Sequence, residues 1–176
     1  QLCLQPDLIQ QICSFLAMQR VVPERVVALA ASSIDDHDPL HCAIQHVLHP
    51  ATNNWWISSP GSMPHGEGHE WISFELNSGQ PCRVERVDMR IPPMPSGPLS
   101  VRNFYLEQAS SADGPWVRAS ALFTTLDRAE MQSWAIWPPI EATHLRIVCT
   151  RNASRAHHDD MRLRLLHLGD LAPDDS

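Results

Sequence analysis

The sequence predicts an all-β fold, an antiparallel β-sandwich of jelly-roll type, with an α-helical appendage at its N-terminus. Three observations predict it. Apolar residues recur at every second position in a series of short segments. Turns rich in proline, glycine, asparagine and aspartate separate these segments, and the 176 residues include 15 prolines. Helical spacing of apolar residues is confined mainly to one stretch, residues 2–20.

In that stretch Leu8, Ile12, Phe15 and Leu16 share a face, and Asp7 follows Pro6 in the first turn, where the helix dipole favours a carboxylate. Residues 21–31 are an apolar connector, a turn of helix leading into an extended segment. Residues 32–39 form a polar loop. Residues 41–48 make one or two helical turns through Cys42, Ile44, Val47 and Leu48, and a further turn at 49–54 leads to the pair Trp55-Trp56.

The clearest strand is 71–76, and the chain is organised around it. Ile72, Phe74 and Leu76 take one side; Trp71, Ser73 and Glu75 take the other. The loop before it, 60–69, holds Gly61, Gly66 and Gly68 with two prolines and two histidines, so it is a surface excursion. Residues 77–81 read as a hairpin turn into a strand over 82–91. There the alternation slips: Cys82 and Val84 are in one phase, Val87, Met89 and Ile91 in the other. One extra residue at Glu85-Arg86, a β-bulge, explains the slip.

Residues 92–98 are a proline-stiffened loop. Strands follow at 101–108 (Phe104 and Leu106 in phase), after the Asp113-Gly114 turn at Trp116-Val117, and at 121–126. A strand over 131–137 stops at Pro138-Pro139. Leu145, Ile147 and Cys149 mark a strand at 143–150, and a closing strand spans 161–168 after a polar loop. The expected organisation is a helix and connector at 1–27, one sandwich domain at 28–171 and an acidic tail at 172–176.

Hydrophobic residues make up 43% and charged residues 19%, enough to build a packed core. A net charge of −7 argues against nucleic acid and acidic membrane surfaces as main partners. No apolar run is long enough to span a bilayer. All 13 basic residues are arginine, for which GC-rich coding bias is the favoured reading and avoidance of ubiquitin attachment the sharper alternative. The five cysteines (Cys3, Cys13, Cys42, Cys82, Cys149) are odd in number and widely spaced. They fit reduced, buried thiols in an intracellular protein better than a disulfide framework. The chain begins at Gln1 without Met, so a longer protein is expected around it.

Six short motifs occur in one order. They are Ala31-Ser32-Ser33, Asn54-Trp55-Trp56-Ile57-Ser58-Ser59, Trp71-Ile72-Ser73-Phe74-Glu75-Leu76, Phe104 to Leu106 with Asp113-Gly114-Pro115-Trp116, Ala142 to Ile147, and Leu165 to Leu168. This order resembles the discoidin, or coagulation-factor C-type, domains among the galactose-binding-like jelly rolls. Ala31 to Asp35, Trp56 to Ser59 and Cys82 to Val87 also resemble the C-terminal domain of plant-type F-box proteins. Trp56 to His65 and His158 to Leu168 resemble the DOC domain of the anaphase-promoting complex. The run Pro6 to Leu16 is similar to the first helix of an F-box; the other two F-box helices do not fit before residue 30.

The resemblance implies ligand contact through three loops at one end, here 34–41, 49–70 and 91–100. The candidate recognition residues are Asp35, Asp36, His37 and Asp38 in the first loop, Trp55, His65 and His69 in the second, and Met94 and Ser96 in the third. The acidic first loop opposes insertion into anionic lipid. It reads equally well as a solvated turn.

Ten histidines raise the question of metal, yet no Cys-x-x-Cys or His-Glu-x-x-His spacing occurs, and the expectation is no metal and no cofactor. There is no nucleophile elbow, phosphate loop or triad pattern, so the chain is expected not to be an enzyme. Asn152-Ala153-Ser154 is a glycosylation sequon of the kind chance supplies. Of the tryptophans, Trp56, Trp71 and Trp116 are expected in the framework, with Trp55, Trp134 and Trp137 partly exposed.

The main expectation is a non-catalytic protein-interaction module, a recognition or assembly subunit of an intracellular complex such as an F-box ubiquitin ligase. One alternative is a carbohydrate-binding module with a glycan as partner. Another is a structural subunit of a ciliary or cytoskeletal assembly.

Overall fold

The computed structural model describes residues 19–20, 23–34, 42–48, 56–58, 70–91, 100–128, 130–152, 164–165 and 167–168. They form two facing sheets, as the alternation predicts. The larger runs β2 (Val27–Ala31), β4 (Glu70–Glu75), β10 (His144–Asn152) and β6 (Val101–Ala109), with the short β7 (Val117–Arg118) and β8 (Phe123–Thr124) on the outer side of β6. Every pairing in it is antiparallel. The smaller sheet centres on β5 (Cys82–Arg90). It pairs with β9 (Gln132–Ala142) on one side, and with β1 (Gln19–Arg20) and β12 (His167–Leu168) on the other. A two-stranded ribbon joins β3 (Trp56–Ile57) to β11 (Arg164–Leu165).

The core lies between the sheets. Trp56, Ile72, Phe74, Phe104, Leu106, Leu145 and Ile147 are all fully buried. Burying each large side chain contributes on the order of 1.5–3 kcal/mol. The smaller sheet answers with Val84, Val87, Met89, Ile136 and Ile140. The β5–β9 register does shift between Val84 and Arg86, where the alternation slips, but the extra residues lie on β9, where Ile136 to Pro139 face Glu85, and not on β5 as expected. Phe104 stacks edge-on with Trp134 at 5.0 Å and meets Phe123 at 5.3 Å, so Trp134, partly exposed as expected, also packs into the framework.

Four further expectations are corrected. The helix expected over 2–20 does not reach Gln19, because Gln19–Arg20 pairs parallel with Cys82–Arg83 and so satisfies backbone groups at the edge of β5; residues 1–18 lie outside the described residues. The turn at 77–81 is not a hairpin. Asn77, Ser78 and Gly79 take φ of 48°, 55° and 77°, and this left-handed run carries the chain from one sheet to the other. The strand expected to stop at Pro138-Pro139 runs on to Ala142, with the prolines set in a wide irregularity of β9. The closing strand is divided: Arg164–Leu165 pairs with β3, His167–Leu168 with β5.

Candidate functional site

Topology gathers the loop bases at one end. The end of β2 pairs with the start of β4 (Ala31 with Ile72), the end of β10 with the start of β4 (Cys149 with Glu70) and with the start of β6 (Asn152 with Val101). The Asn77–Gly79 turn joins the far end of β4 to the start of β5, so β5 finishes, at Arg90 and Ile91, on the same side as Glu70. Segments 35–41, 59–69 and 92–99 therefore all attach at this end. The nine candidate recognition residues, Asp35, Asp36, His37, Asp38, Trp55, His65, His69, Met94 and Ser96, lie outside the described residues.

The attachment points are tied together by a buried carboxylate. Glu70 is 4% exposed and accepts hydrogen bonds from the hydroxyls of Ser32 and Ser33, the latter at 3.0 Å. Trp71 N–H donates to the Ser32 hydroxyl at 3.0 Å, Ser32 N–H donates to the Trp71 carbonyl at 2.8 Å, and the Trp56 indole N–H donates to the Ser33 carbonyl at 2.9 Å. The two serines of the Ala-Ser-Ser motif thus meet at one acid, and Trp56 is held to the same motif through the Ser33 carbonyl. That role of Glu70 was missed in the sequence, although a signal exists: Glu70 shares the inward phase of Ile72, Phe74 and Leu76.

The same end is braced on its other side. Thr125 hydroxyl donates to the Val101 carbonyl at 2.6 Å. The Gln132 amide grips residue 126 from both sides, accepting from its N–H at 2.6 Å and donating to its carbonyl at 2.9 Å. An ordered framework at these bases confines the ordering cost of binding to the loops themselves.

The outer face of the larger sheet is aromatic but self-satisfied. The Arg146 guanidinium lies between the rings of Trp71 and Trp116, 4.9 and 4.6 Å from their centroids. Its Nε donates to Glu107 at 2.8 Å, and Nη2 donates to the same carboxylate. Arg118 covers Tyr105 at 4.4 Å. With both faces and its fork engaged, Arg146 is framework, as was expected of Trp71 and Trp116. Trp137, by contrast, is 89% exposed on β9.

Cys42, Cys82 and Cys149 are free and buried. Burial pushes the Cys82 thiol up to about 11 and the Cys149 thiol further up, with the Glu70 charge adding to the latter. Such thiols are poor nucleophiles and poor metal ligands. Among the described residues no three His, Cys, Asp or Glu side chains converge as metal ligands, and no helix is long and apolar enough to cross a membrane.

No family model and no curated protein matches the chain. Solved structures do. A family 32 carbohydrate-binding module from Clostridium perfringens, solved with galactose, superposes with a TM-score of 0.62 at 13% identity, covering 84% of this chain and 94% of that one. Another from Clostridium perfringens, solved with GalNAc-β-1,3-galactose, gives 0.64 at 11% identity over 85% and 97%. An F5/8 type C domain from Bacteroides fragilis gives 0.60 at 16% identity over 85% and 93%. None of the three is named as an F-box-associated or DOC domain. Sheet order, buried core and these superpositions agree: the chain has the galactose-binding-like β-sandwich fold of the discoidin, or F5/8 type C, domains.

Proposed function

We propose that this chain is a non-catalytic binding module and that its ligand is a carbohydrate, met at the end where segments 35–41, 59–69 and 92–99 attach. The observation that carries the proposal is the shared frame. Domains built on it were solved with galactose, with GalNAc-β-1,3-galactose and, in a chitosan-binding module from Paenibacillus, with chitotriose. The braced base around Glu70 supports it, because weak sugar ligands need a site ordered in advance. The candidates for contact remain Trp55 for stacking on a sugar ring, and Asp35, Asp36, His37, Asp38, His65, His69 and Ser96 for hydroxyls, with Met94 beside them. A ubiquitin-ligase role draws no support from the fold or from these likenesses and is not carried into the proposal.

A glycan array probed with the purified chain tests this. Binding to a defined glycan is expected, with Trp55→Ala weakening it at least about tenfold, the scale of a lost stacking anchor. Silence across the array, with stable recovery of a protein partner at the same loops, overturns it in favour of a protein-recognition module.

A further inference from the structure

We infer a second binding surface, at the end of the sandwich opposite the loops, shaped for a basic side chain of a protein partner. A cleft of about 510 Å³ opens there among Pro81, Gln108, Pro115, Val117, Glu141 and Thr143. Its position follows from the chain path. Pro81 closes the β4–β5 turn, Gln108 sits near the end of β6, and Thr143 joins β9 to β10. A space of this size admits one long side chain with its flanking backbone.

The walls are mainly apolar, and Val117 is 57% exposed. The Thr143 hydroxyl is engaged, donating to the Ala109 carbonyl at 3.2 Å. The Gln108 amide and the Glu141 carboxylate engage no side chain among the described residues; Arg83, which stands opposite Glu141 on β5, pairs instead with Glu85 at 2.7 Å. A carboxylate beside apolar walls selects a ligand with a charged donor on an alkyl stem: the stem packs on the prolines and the head meets the acid. Arginine or lysine has that form.

The same strand supplies a second contact. Trp137 precedes Glu141 by four residues and is 89% exposed. Four extended residues span at most about 14 Å, so one short segment of a partner can touch both. A tryptophan left in water is the residue type most often used to anchor a protein interface. The cleft itself has no aromatic ring in its lining, which disfavours a sugar there.

Amide proton–nitrogen NMR spectra of the 176-residue chain, titrated with blocked arginine amide and blocked citrulline amide, test the inference. The arginine probe is expected to shift the amides of Ala109, Val117 and Thr143, binding about two- to fivefold more tightly than citrulline. Glu141→Gln, an exposed and near-isosteric change, is expected to abolish that difference. Short random peptides selected on the chain and counter-selected on Glu141→Gln are expected to carry arginine or lysine, and Trp137→Ala to weaken them about tenfold. Equal shifts from both probes, no shift at either, or the same amides responding to galactose would overturn the inference. None of these results bears on sugar binding at the loop end, which is read from a different set of amides.

Discussion

The Ser33 hydroxyl donates to the Glu70 carboxylate at 3.0 Å across 37 residues of sequence, and this contact ties the segment that follows the first strand of the larger sheet to the start of the second. Because Glu70 accepts from two hydroxyls while almost wholly buried, its loss removes both of these hydrogen bonds. Glu70→Ala is expected to lower unfolding free energy by about 1.5–3 kcal/mol, read as the urea midpoint at constant slope. Ser33→Ala is expected to cost less, since Ser32 still holds the acid. Equal stability of Glu70→Ala and the native chain would show that the contact does not tie the loop bases.

Arg146 offers a test of the outer sheet face. Arg146→Lys keeps the charge but lacks the planar fork that stacks between two indoles and binds Glu107 through two nitrogens. It is expected to destabilise the fold by about 1–2 kcal/mol, and Arg146→Ala by about 2–4 kcal/mol. If lysine restores full stability, simple charge and not stacking is what the site requires.

Alkaline pH probes the buried thiols. The folded chain holds the Cys82 proton to about 11 against an ordinary 9.0, because burial disfavours the thiolate. Above pH 9 the unfolded chain therefore gives up protons that the folded chain retains, and stability falls from there toward pH 11. Tyr105, raised from 10.0 by burial and then by the charge of Glu107, extends the loss at the upper end. Urea midpoints should be level between pH 7 and pH 9 and then decline, and Cys82→Val should shallow the decline. With Cys3 and Cys13 changed to Ser, the native chain should leave a thiol reagent unconsumed until denaturant is added.

Gly114 stands where only glycine fits. Its φ is 89°, and a Cβ there would lie 3.0 Å from both the backbone nitrogen and the ring of Trp116. Gly114→Ala is expected to cost about 1–3 kcal/mol and to disturb the Trp116–Arg146 stack, visible as a change in near-ultraviolet circular dichroism. An unchanged spectrum would separate the turn from the stack.

The sheets are legible in the sequence because one-sided burial writes itself as alternation. Ile72 with Phe74, and Leu145 with Ile147, mark the strands, and the slipped phase around Glu85 marks where the β5–β9 register shifts. Three elements are not legible. Gln19–Arg20 and Trp56–Ile57 are two residues long, too short for any period to show. Residues 77–81 carry ordinary turn chemistry, and nothing local tells a turn that pairs two strands from one that changes sheets. The acid at Glu70 is readable as a carboxylate in an apolar phase but passes for a strand boundary. Its partners Ser32 and Ser33 lie 38 and 37 residues away, beyond what spacing reveals. The recognition residues stay a proposal because all nine fall outside the described residues.

Four residues of β9, Ile136 to Pro139, stand opposite the single Glu85 of β5. Two of the four are prolines, which have no N–H to offer a neighbour, and Trp137 projects among them. Among the described residues β9 pairs with β5 and with no other strand, so this is a rim where another chain could otherwise add itself by backbone pairing. A straight ladder cannot be laid along it. Along β9 the smaller sheet is thus self-limiting: that edge resists templated growth into fibrils and is left to be read through side chains.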